Sequence, residues 1–205
     1  TTATTVWYEY EGKKFILNNP YEAGGSQHLK GQLHVHSNNS FDNISGAGWV
    51  GPTPAQVVTK YRDAGYGWMT LTDHDAVTPD PGVSGITWIG MSSEETGAVT
   101  SLGVSSGFHH LCAIDITTQI EKNNLQDVIN YHRANNSLTS IAHCAWSEDN
   151  ILYESDITEL YNFNMIEIFN TANMAYYASV PDSEKLEVKW DNALSAGKKC
   201  FGVAV

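Results

Sequence analysis

Residues 53–75, TPAQVVTKYRDAGYGWMTLTDHD, contain one helix and the strand that follows it. Thr53 can cap the helix, and Gln56 can complete a capping box with it. The helix carries an apolar stripe that consists of Val57, Val58, Tyr61 and Ala64. Gly65 is expected to end the helix, and the apolar residues 68–71 then predict a buried strand. A helix that leads directly into a buried strand is typical of an α/β protein.

Polar side chains follow the predicted strand of this unit at its carboxyl end. Asp73, His74 and Asp75 closely follow Leu71, at the place where α/β folds put their chemistry. A solvated acidic turn with one histidine is the simpler interpretation. The same pattern recurs at residues 140–143, where a short apolar strand ends in a histidine. The recurrence favours a functional site.

Histidines are concentrated where a metal centre would need them. Five of the eight fall in or next to strand-like stretches, namely His34, His36, His74, His110 and His143. His34 and His36 are two residues apart, so on a strand both rings leave the same face while Val35 faces the core. If this pair is considered by itself, the alternative interpretation is that His34 and His36 are two unrelated surface histidines. Imidazoles combined with nearby carboxylates suit Zn, Mn or Fe.

The rest of the chain repeats the alternation of helices and strands. Further helix–strand units are predicted over residues 124–143 and 182–205, and a strand over residues 86–91 is expected to present Glu94. This rhythm indicates a barrel or a layered parallel sheet. Residues 1–28 contain alternating aromatic side chains and are expected to form a hairpin-like lead-in that packs on the domain.

The motifs of this chain, in their order, resemble those of the PHP (polymerase and histidinol phosphatase) domain, especially its stand-alone metallohydrolase branch. They are GQLHVHSNNSFD (31–42), LTDHD (71–75), Glu94-Glu95-Thr96, His109-His110-Leu111-Cys112-Ala113, IAHCAW (141–146), MIEIFN (165–170) and WDNALSAGKKCFGVAV (190–205). The resemblance covers residues 29–205. It implies an α/β fold of a particular kind, a distorted (βα)7-type barrel with its metal site at the carboxyl ends of the strands.

The resemblance also implies ligands for two or three divalent metal ions (Zn, Mn or Fe). Five histidines and two acids supply them: His34 and His36 for one ion, Glu94 as a bridge to a second ion on His110 and His143, and Asp42 with His74 for a third. Glu94 is preferred to Glu95 because of its spacing from the following threonine. His110 is preferred to His109 because of its spacing from the following alanine. Both neighbouring residues remain alternatives.

Catalytic roles in this set are assigned to Glu94, His74 and Asp73. Asp73 and Asp75 flank His74, so either can accept the second N–H of its ring and hold the imidazole in one tautomer. For Asp75, capping the turn after the strand is an equal alternative.

Two features depart from the family pattern. Phe41 separates Ser40 from Asp42, whereas the family has its serine and aspartate side by side. The last strand of the family continues into an Asp-x-His pair that supplies two further ligands, whereas this sequence stops at Val205. Either the sequence is a fragment that stops before the motif, or the domain binds fewer ions.

The resemblance and the residue chemistry together predict a metal-dependent hydrolase of a small phosphomonoester or phosphodiester, which uses water activated by two or three ions. One alternative is a carbamate or carboxylic ester hydrolase of the same fold, which the scarcity of arginine favours. Another is a non-enzymatic structural or assembly module of an extracellular surface or filament, which the threonine-rich and aromatic lead-in favours.

Composition narrows the range of partners. The 205 residues carry a net charge of −12 and only two arginines, Arg62 and Arg133, which argues against a nucleic-acid polymer. A small phosphorylated substrate remains compatible, because bound cations invert the potential of an acidic pocket. No apolar run reaches the roughly 20 residues of a membrane span. The abundance of Thr, Asn and Ser suggests a secreted protein, with a cytoplasmic location and self-association left open.

The odd number of cysteines excludes a full disulfide framework. Cys112, Cys144 and Cys200 each lie in an apolar, strand-like context. We therefore expect them to be buried thiols. Cys144, beside His143, is also an alternative soft metal ligand.

Overall fold

The computed structural model describes residues 6–10, 12–17, 29–40, 51–98, 108–120, 124–144, 152–171, 181 and 185–205. The chain divides into two units, Thr1–Lys30 and Gly31–Val205. In the first unit, strand β1 (Val6–Tyr10) pairs antiparallel with β2 (Lys13–Leu17). Gly12 takes a φ of +73° in the turn between them, a conformation that costs glycine little. This pair agrees with the hairpin predicted near the amino terminus.

The remaining described elements are four helices and eight strands, which alternate along the chain except for a run of four consecutive strands from residue 66 to residue 114. The helices are α1 (Pro54–Asp63), α2 (Leu125–Ala134), α3 (Glu154–Glu159) and α4 (Leu186–Ser195). The strands are β3 (Lys30–Gln32), β4 (Tyr66–Met69), β5 (Thr87–Trp88), β6 (Ser92–Ala98), β7 (Phe108–Ile114), β8 (Leu138–Ile141), β9 (Met165–Phe169) and β10 (Phe201–Ala204). The predicted α/β class is therefore confirmed. None of the described helices has the length and hydrophobicity needed to span a membrane.

These strands form two sheets. One has the order β3-β4-β5, and the other has the order β10-β9-β8-β7-β6. Strands β8, β9 and β10 run parallel, whereas β7 runs antiparallel to both of its neighbours. The sheets meet where His74, just beyond β4, forms a parallel bridge with Glu94 on β6. No sheet is closed among the described residues, so the barrel stays a prediction, and the reversed β7 departs from a purely parallel sheet.

The segment expected to be one strand over residues 86–91 is divided between the sheets. Thr87–Trp88 pairs with β4, whereas Glu94 lies on the next strand, β6. Between them Gly90 has a φ of +120°, and a Cβ there would lie 2.5 Å from Oδ1 of Asp115 and 3.1 Å from its Cα. Glycine therefore allows the chain to turn from one sheet to the other at this point.

Helix α1 begins as predicted. The hydroxyl of Thr53 accepts a hydrogen bond from the Gln56 N–H, and the Gln56 side chain accepts one from the Thr53 N–H at 2.9 Å. Its buried face, Val57 and Val58, packs with Met69 and Leu71 beside β4. A larger core fills the space between the five-stranded sheet and helices α2, α3 and α4; its members include Leu111, Ile129, Ile141, Ile157, Ile166 and Leu186. Each such side chain contributes about 1.5–3 kcal/mol through burial.

Candidate metal centre

Glu94 lies at the centre of a histidine cluster. Its side chain is 1% exposed, and its carboxylate comes within 2.7–3.3 Å of a ring nitrogen on every one of five histidines. They are His34, His36, His74, His110 and His143. The structure thus brings together six of the seven metal ligands expected from the sequence. The seventh, Asp42, lies outside the described residues.

The two oxygens of this carboxylate face different histidines. Oε2 lies 3.0 Å from Nε2 of His34, 3.0 Å from Nε2 of His36 and 3.3 Å from Nε2 of His74. Oε1 lies 2.7 Å from Nδ1 of His110 and 3.0 Å from Nε2 of His143. One carboxylate therefore contacts three rings through one oxygen and two rings through the other.

The five rings form a closed circuit. Neighbouring ring centroids are 4.4–5.4 Å apart. The circuit runs in the order His34, His36, His74, His110, His143 and back to His34. Five imidazoles at this spacing would repel one another if all were protonated, and the central Glu94 carboxylate offsets part of that repulsion.

The strand arrangement explains how residues so far apart in sequence meet. His74 follows β4 and His143 follows β8, both beyond the carboxyl ends of their strands. His110 lies near the amino end of β7, but β7 is antiparallel to β8, and the Ala142 N–H donates to the His110 carbonyl at 3.1 Å. The reversal of β7 thus brings its amino end to the edge where the parallel strands finish.

Glu167 on β9 is a member of the site that the sequence analysis missed. It is 1% exposed, and its Oε1 lies 2.5 Å from Nδ1 of His34. Its Oε2 accepts hydrogen bonds from the His143 N–H at 2.7 Å and from the Asn170 side chain at 3.1 Å. The signal in the sequence was an acid inside the apolar strand MIEIF, where an uncompensated charge is costly.

Glu167 determines which ring nitrogen of His34 carries a proton and which one faces Glu94. Burial has the largest single effect and raises the pKa of Glu167, but His34, His143 and the Asn170 amide together bring the net pKa below the ordinary range. An ionised carboxylate only accepts hydrogen bonds, so Nδ1 of His34 must carry the proton. Nε2 of the same ring is then the nitrogen that faces Glu94 and His36, at 3.0 Å and 3.2 Å.

Asp73 acts on the histidines indirectly. Its buried carboxylate accepts hydrogen bonds from the Ser37 backbone and hydroxyl, from Ser40 and from Thr78, and the His74 ring is not among these partners. The Ser40 hydroxyl lies 3.4 Å from Nδ1 of His36 and accepts from the His74 N–H at 3.1 Å. Asp73 thus stabilises the segment that follows β3, whereas the sequence analysis expected it to hold the His74 ring directly.

Asp75 occupies the bend after His74. Its φ is +45°, and its N–H donates to the Glu94 carbonyl at 2.9 Å. The backbone of Asp75 therefore helps to join the two sheets. The sequence analysis considered two roles for Asp75, holding the His74 ring and capping this turn, and its position in the bend agrees with the second.

The alternative ligand Glu95 points away from the histidine cluster. Glu94 and Glu95 are consecutive on β6, so their side chains leave opposite faces of the sheet. Oε2 of Glu95 lies 2.8 Å from Nε2 of His132 on α2, and Oε1 accepts from the Ile120 N–H at 3.3 Å. Burial raises the pKa of Glu95, although His132 opposes this shift. His132 is itself 1% exposed, so this pair is withdrawn from solvent.

The alternative ligand His109 also lies outside the circuit. It precedes His110 on β7 and therefore projects from the other face of the sheet. Its side chain is buried, and burial, with a smaller effect from His110, lowers its pKa to about 4. His109 is accordingly neutral near pH 7.

The Glu94 carboxylate is ionised and offers its negative charge to a bound cation. Burial would raise the pKa of Glu94, but His34 and hydrogen bonds from His110 and His143 lower it well below its usual range. Burial would lower the pKa of His34, but the Glu167 and Glu94 carboxylates raise it well above its usual range, so a cation must displace a proton from this ring. The buried Oε2 of Glu94 nevertheless has no hydrogen bond of good geometry, although three ring nitrogens lie within 3.3 Å.

The spacing of the donor atoms fits a metal ion. With metal–nitrogen distances of about 2.0–2.1 Å, neighbouring ligands of one ion lie roughly 3.0–3.5 Å apart. Nε2 of His34, Nε2 of His36 and Oε2 of Glu94 are 3.0–3.2 Å from one another. A second group of three comprises His74, Glu94 and His110, with ligand atoms within 4.8 Å of one another. The residues present therefore fit a bound divalent cation, and Glu94 belongs to both of these groups.

A third possible group is less suited to metal. It combines His34, Cys112 and Glu167. Burial raises the pKa of Cys112 to about 12, so its sulfur is a thiol, whereas metals bind the thiolate. Cys144, the alternative soft ligand, is also buried, and burial raises its pKa to about 12.

The histidine cluster opens into a cavity of about 680 Å³. Its other walls include Gln32, Val35, Tyr61, Tyr66, Asn170 and Thr171. His36, His74 and His110 are each about a quarter exposed, whereas His34 and His143 are nearly buried. A small molecule can therefore reach the first three rings.

No family model and no curated protein sequence matches this chain. One solved structure with some similarity is a two-domain protein from Bacteroides vulgatus ATCC 8482 that contains a predicted PHP-like metal-dependent phosphoesterase. The TM-score is 0.48 at 19% sequence identity, and the alignment covers 74% of this chain. This chain corresponds to about half of that protein, since 48% of it is covered. A similarity this distant does not establish that the two proteins belong to one family.

Proposed function

We propose that this chain is a metal-dependent hydrolase that acts on a small phosphomonoester or phosphodiester. The observation that carries the proposal is the position of the Glu94 carboxylate among five imidazoles at the base of an open cavity. In this proposal the strands belong to a distorted (βα)7-type barrel of the PHP kind. Secretion, suggested by the composition, is part of the same proposal.

The residues divide into two ligand groups. His34, His36 and Glu94 would hold one ion, and Glu94 and His110 would hold a second together with His74 or His143; Asp42 is proposed to contribute to a third. Imidazole and carboxylate donors suit Zn, Mn and Fe. When bound, the ions would supply Lewis acidity, which lowers the pKa of water and neutralises charge on the ester.

The chain's own groups bind, orient and move protons. Glu167 orients His34, and Asp73 orients the segment that carries His36 through Ser40. Glu94 supplies negative charge that keeps the cluster together. His74 is partly exposed to the cavity, and where His143 completes the ligands of the second ion, we propose that His74 donates the proton that the leaving oxygen needs.

A carbamate or carboxylic ester hydrolase is the second candidate. It is favoured by the absence of a guanidinium among the described residues that line the cavity. Arg62 instead pairs with Asp63 at 2.8 Å, and Arg133 donates to the Asn164 side chain at 3.3 Å. Phosphate recognition commonly recruits such groups.

The first experiment measures metal per chain by elemental mass spectrometry on protein prepared without chelator or histidine tag. We expect two or more equivalents, followed by chelator-sensitive hydrolysis of 4-nitrophenyl phosphate or bis(4-nitrophenyl) phosphate. Hydrolysis of 4-nitrophenyl acetate alone would support the second candidate. Substoichiometric metal after incubation with Zn and Mn would contradict both and favour a structural module.

A further inference from the structure

We propose that the substrate carries one anionic ester group and an uncharged aromatic group, and that the aromatic group packs against Tyr61 and Tyr66. This inference rests on the proposed function and specifies the substrate class of the same site. It is carried by the composition of the cavity wall beyond the histidine cluster.

The two tyrosines form an aromatic wall in the cavity. Tyr61 lies on α1 and Tyr66 begins β4, and their ring centroids are 4.8 Å apart at an interplanar angle of 87°. Both line the same cavity as His36 and His74. Aromatic rings favour a further ring in edge-to-face or offset contact. The wall therefore offers a surface that an aromatic group fits better than a polar chain.

Gln32 connects this wall to the histidines. Its Nε2 lies 3.4 Å from the Tyr61 hydroxyl, and its Oε1 accepts hydrogen bonds from the N–H groups of Leu33 and His34 at 2.9 Å and 3.2 Å. The side chain of Gln32 is 7% exposed. The tyrosine wall and the His34 backbone are thus held by one buried amide, which favours a fixed distance between the ester and the aromatic group.

The described cavity wall beyond the histidines has no cationic side chain that could bind a second anionic group. None of the described Lys and Arg side chains lines the cavity, whose remaining polar groups include Asn170, Thr171 and Gln32. Cations bound by the histidines can neutralise one ester group. A second phosphate or carboxylate farther along the cavity would lose its hydration without gaining a cation there.

The volume leaves room for an organic group. Ligand pockets commonly measure about 300–1,000 Å³ and enclose most of a drug-sized molecule. A cavity of about 680 Å³ is therefore larger than an ester group alone requires. We expect the rest of the volume to hold the uncharged part of the substrate.

The experiment compares three probes by calorimetry on the metal-loaded full chain: phenylphosphonate, methylphosphonate and 2-carboxyethylphosphonate. We expect phenylphosphonate to bind at least about fivefold more tightly than either of the others. Tyr66→Leu should reduce the ratio of phenyl to methyl affinity by about 3- to 10-fold, whereas Tyr66→Phe should keep it, since the ring supplies the contact. Tyr161→Leu, at an exposed tyrosine that is not among the cavity-lining residues, is the matched control.

The outcomes separate this inference from the proposed function. Protein that takes up no metal contradicts the proposed function. Metal-loaded protein that binds all three phosphonates equally, prefers the carboxyethyl compound or binds none overturns the inference. A Tyr66→Leu protein that folds and keeps the wild-type ratio also overturns it. If Tyr66→Leu fails to fold, the wild-type ratio together with Tyr61→Leu, expected to lower that ratio, still decides the matter.

Discussion

Oε1 of Glu167 lies 2.5 Å from Nδ1 of His34, while the other nitrogen of the same ring lies 3.0 Å from Glu94. One imidazole is thus held between two buried carboxylates. The first fixes the proton on Nδ1, and the second shares a potential metal with Nε2. A carboxylate that accepts the distal N–H of a metal-binding histidine also raises the basicity of the ligand nitrogen.

Replacement of Glu167 should weaken metal binding. Glu167→Gln keeps the shape of the side chain but removes the charge, so His34 is held less firmly. We expect metal affinity to fall by about 10- to 100-fold, measured by calorimetric titration of metal-free protein. Asn164→Ala is the control, because Asn164 precedes the same strand and accepts from the Thr139 N–H at 3.0 Å. It should cost about 1 kcal/mol of stability and leave affinity unchanged. Equal affinities for wild type and Glu167→Gln would refute this role.

The adjacent residues Glu94 and Glu95 should give opposite results. Glu94→Gln removes the shared carboxylate, and we expect less than half an equivalent of bound metal by elemental mass spectrometry. Glu95→Gln weakens the buried pair with His132 and should lower the free energy of unfolding by about 1–3 kcal/mol, measured in urea, while metal binding persists. Loss of metal in Glu95→Gln with retention in Glu94→Gln would show that the opposite face of β6 is the metal-binding one.

The pair His109 and His110 provides a second test of the two faces. Nδ1 of His110 lies 2.7 Å from Glu94. His110→Ala removes this ring and should therefore reduce metal uptake by about one equivalent. His109→Ala should keep its metal but unfold more easily, by roughly 1–3 kcal/mol, because the lost side chain is buried. Thermal unfolding and metal content measured on both proteins check the prediction. Identical metal content in the two variants would contradict it.

Thiol reagents should not react rapidly with the native protein. Cys112 and Cys144 are each 1% exposed and Cys200 is 7% exposed, and burial raises the pKa of all three. Because the thiolate is the reactive form, Ellman's reagent should detect no fast thiol in the folded chain and three in guanidinium. A rapid native reaction at any cysteine would show that its surroundings open to solvent.

Local chemistry determined which parts of the fold could be predicted from the sequence. Helix α1 begins where Thr53 and Gln56 place it, because a capping box depends on residues three apart. The pair His34 and His36 was predicted from strand geometry. Their Nε2 atoms do lie 3.2 Å apart, although the structure ends β3 at Gln32 and places both histidines just beyond it. These features need no knowledge of the rest of the chain.

The missed features depend on long-range contacts. Glu167 is 133 positions from His34 in sequence, so no local spacing connects them. The turn at Gly90 and the reversal of β7 likewise depend on which strands become neighbours. The direct contact expected between Asp73 and His74 was replaced by hydrogen bonds to Ser37, Ser40 and Thr78, since hydroxyls from a distant segment reach the carboxylate.

The closed circuit of imidazoles also bears on how the protein folds. Its rings come from positions between His34 and His143, and Glu167 on β9 supports the first of them. No helix–strand unit alone contains enough of these residues to hold an ion, and loop closure over such separations is slow. We therefore expect the complete site to form late, after the strands have associated. Tight metal uptake during refolding would accordingly mark the arrival of the native state rather than guide the chain toward it.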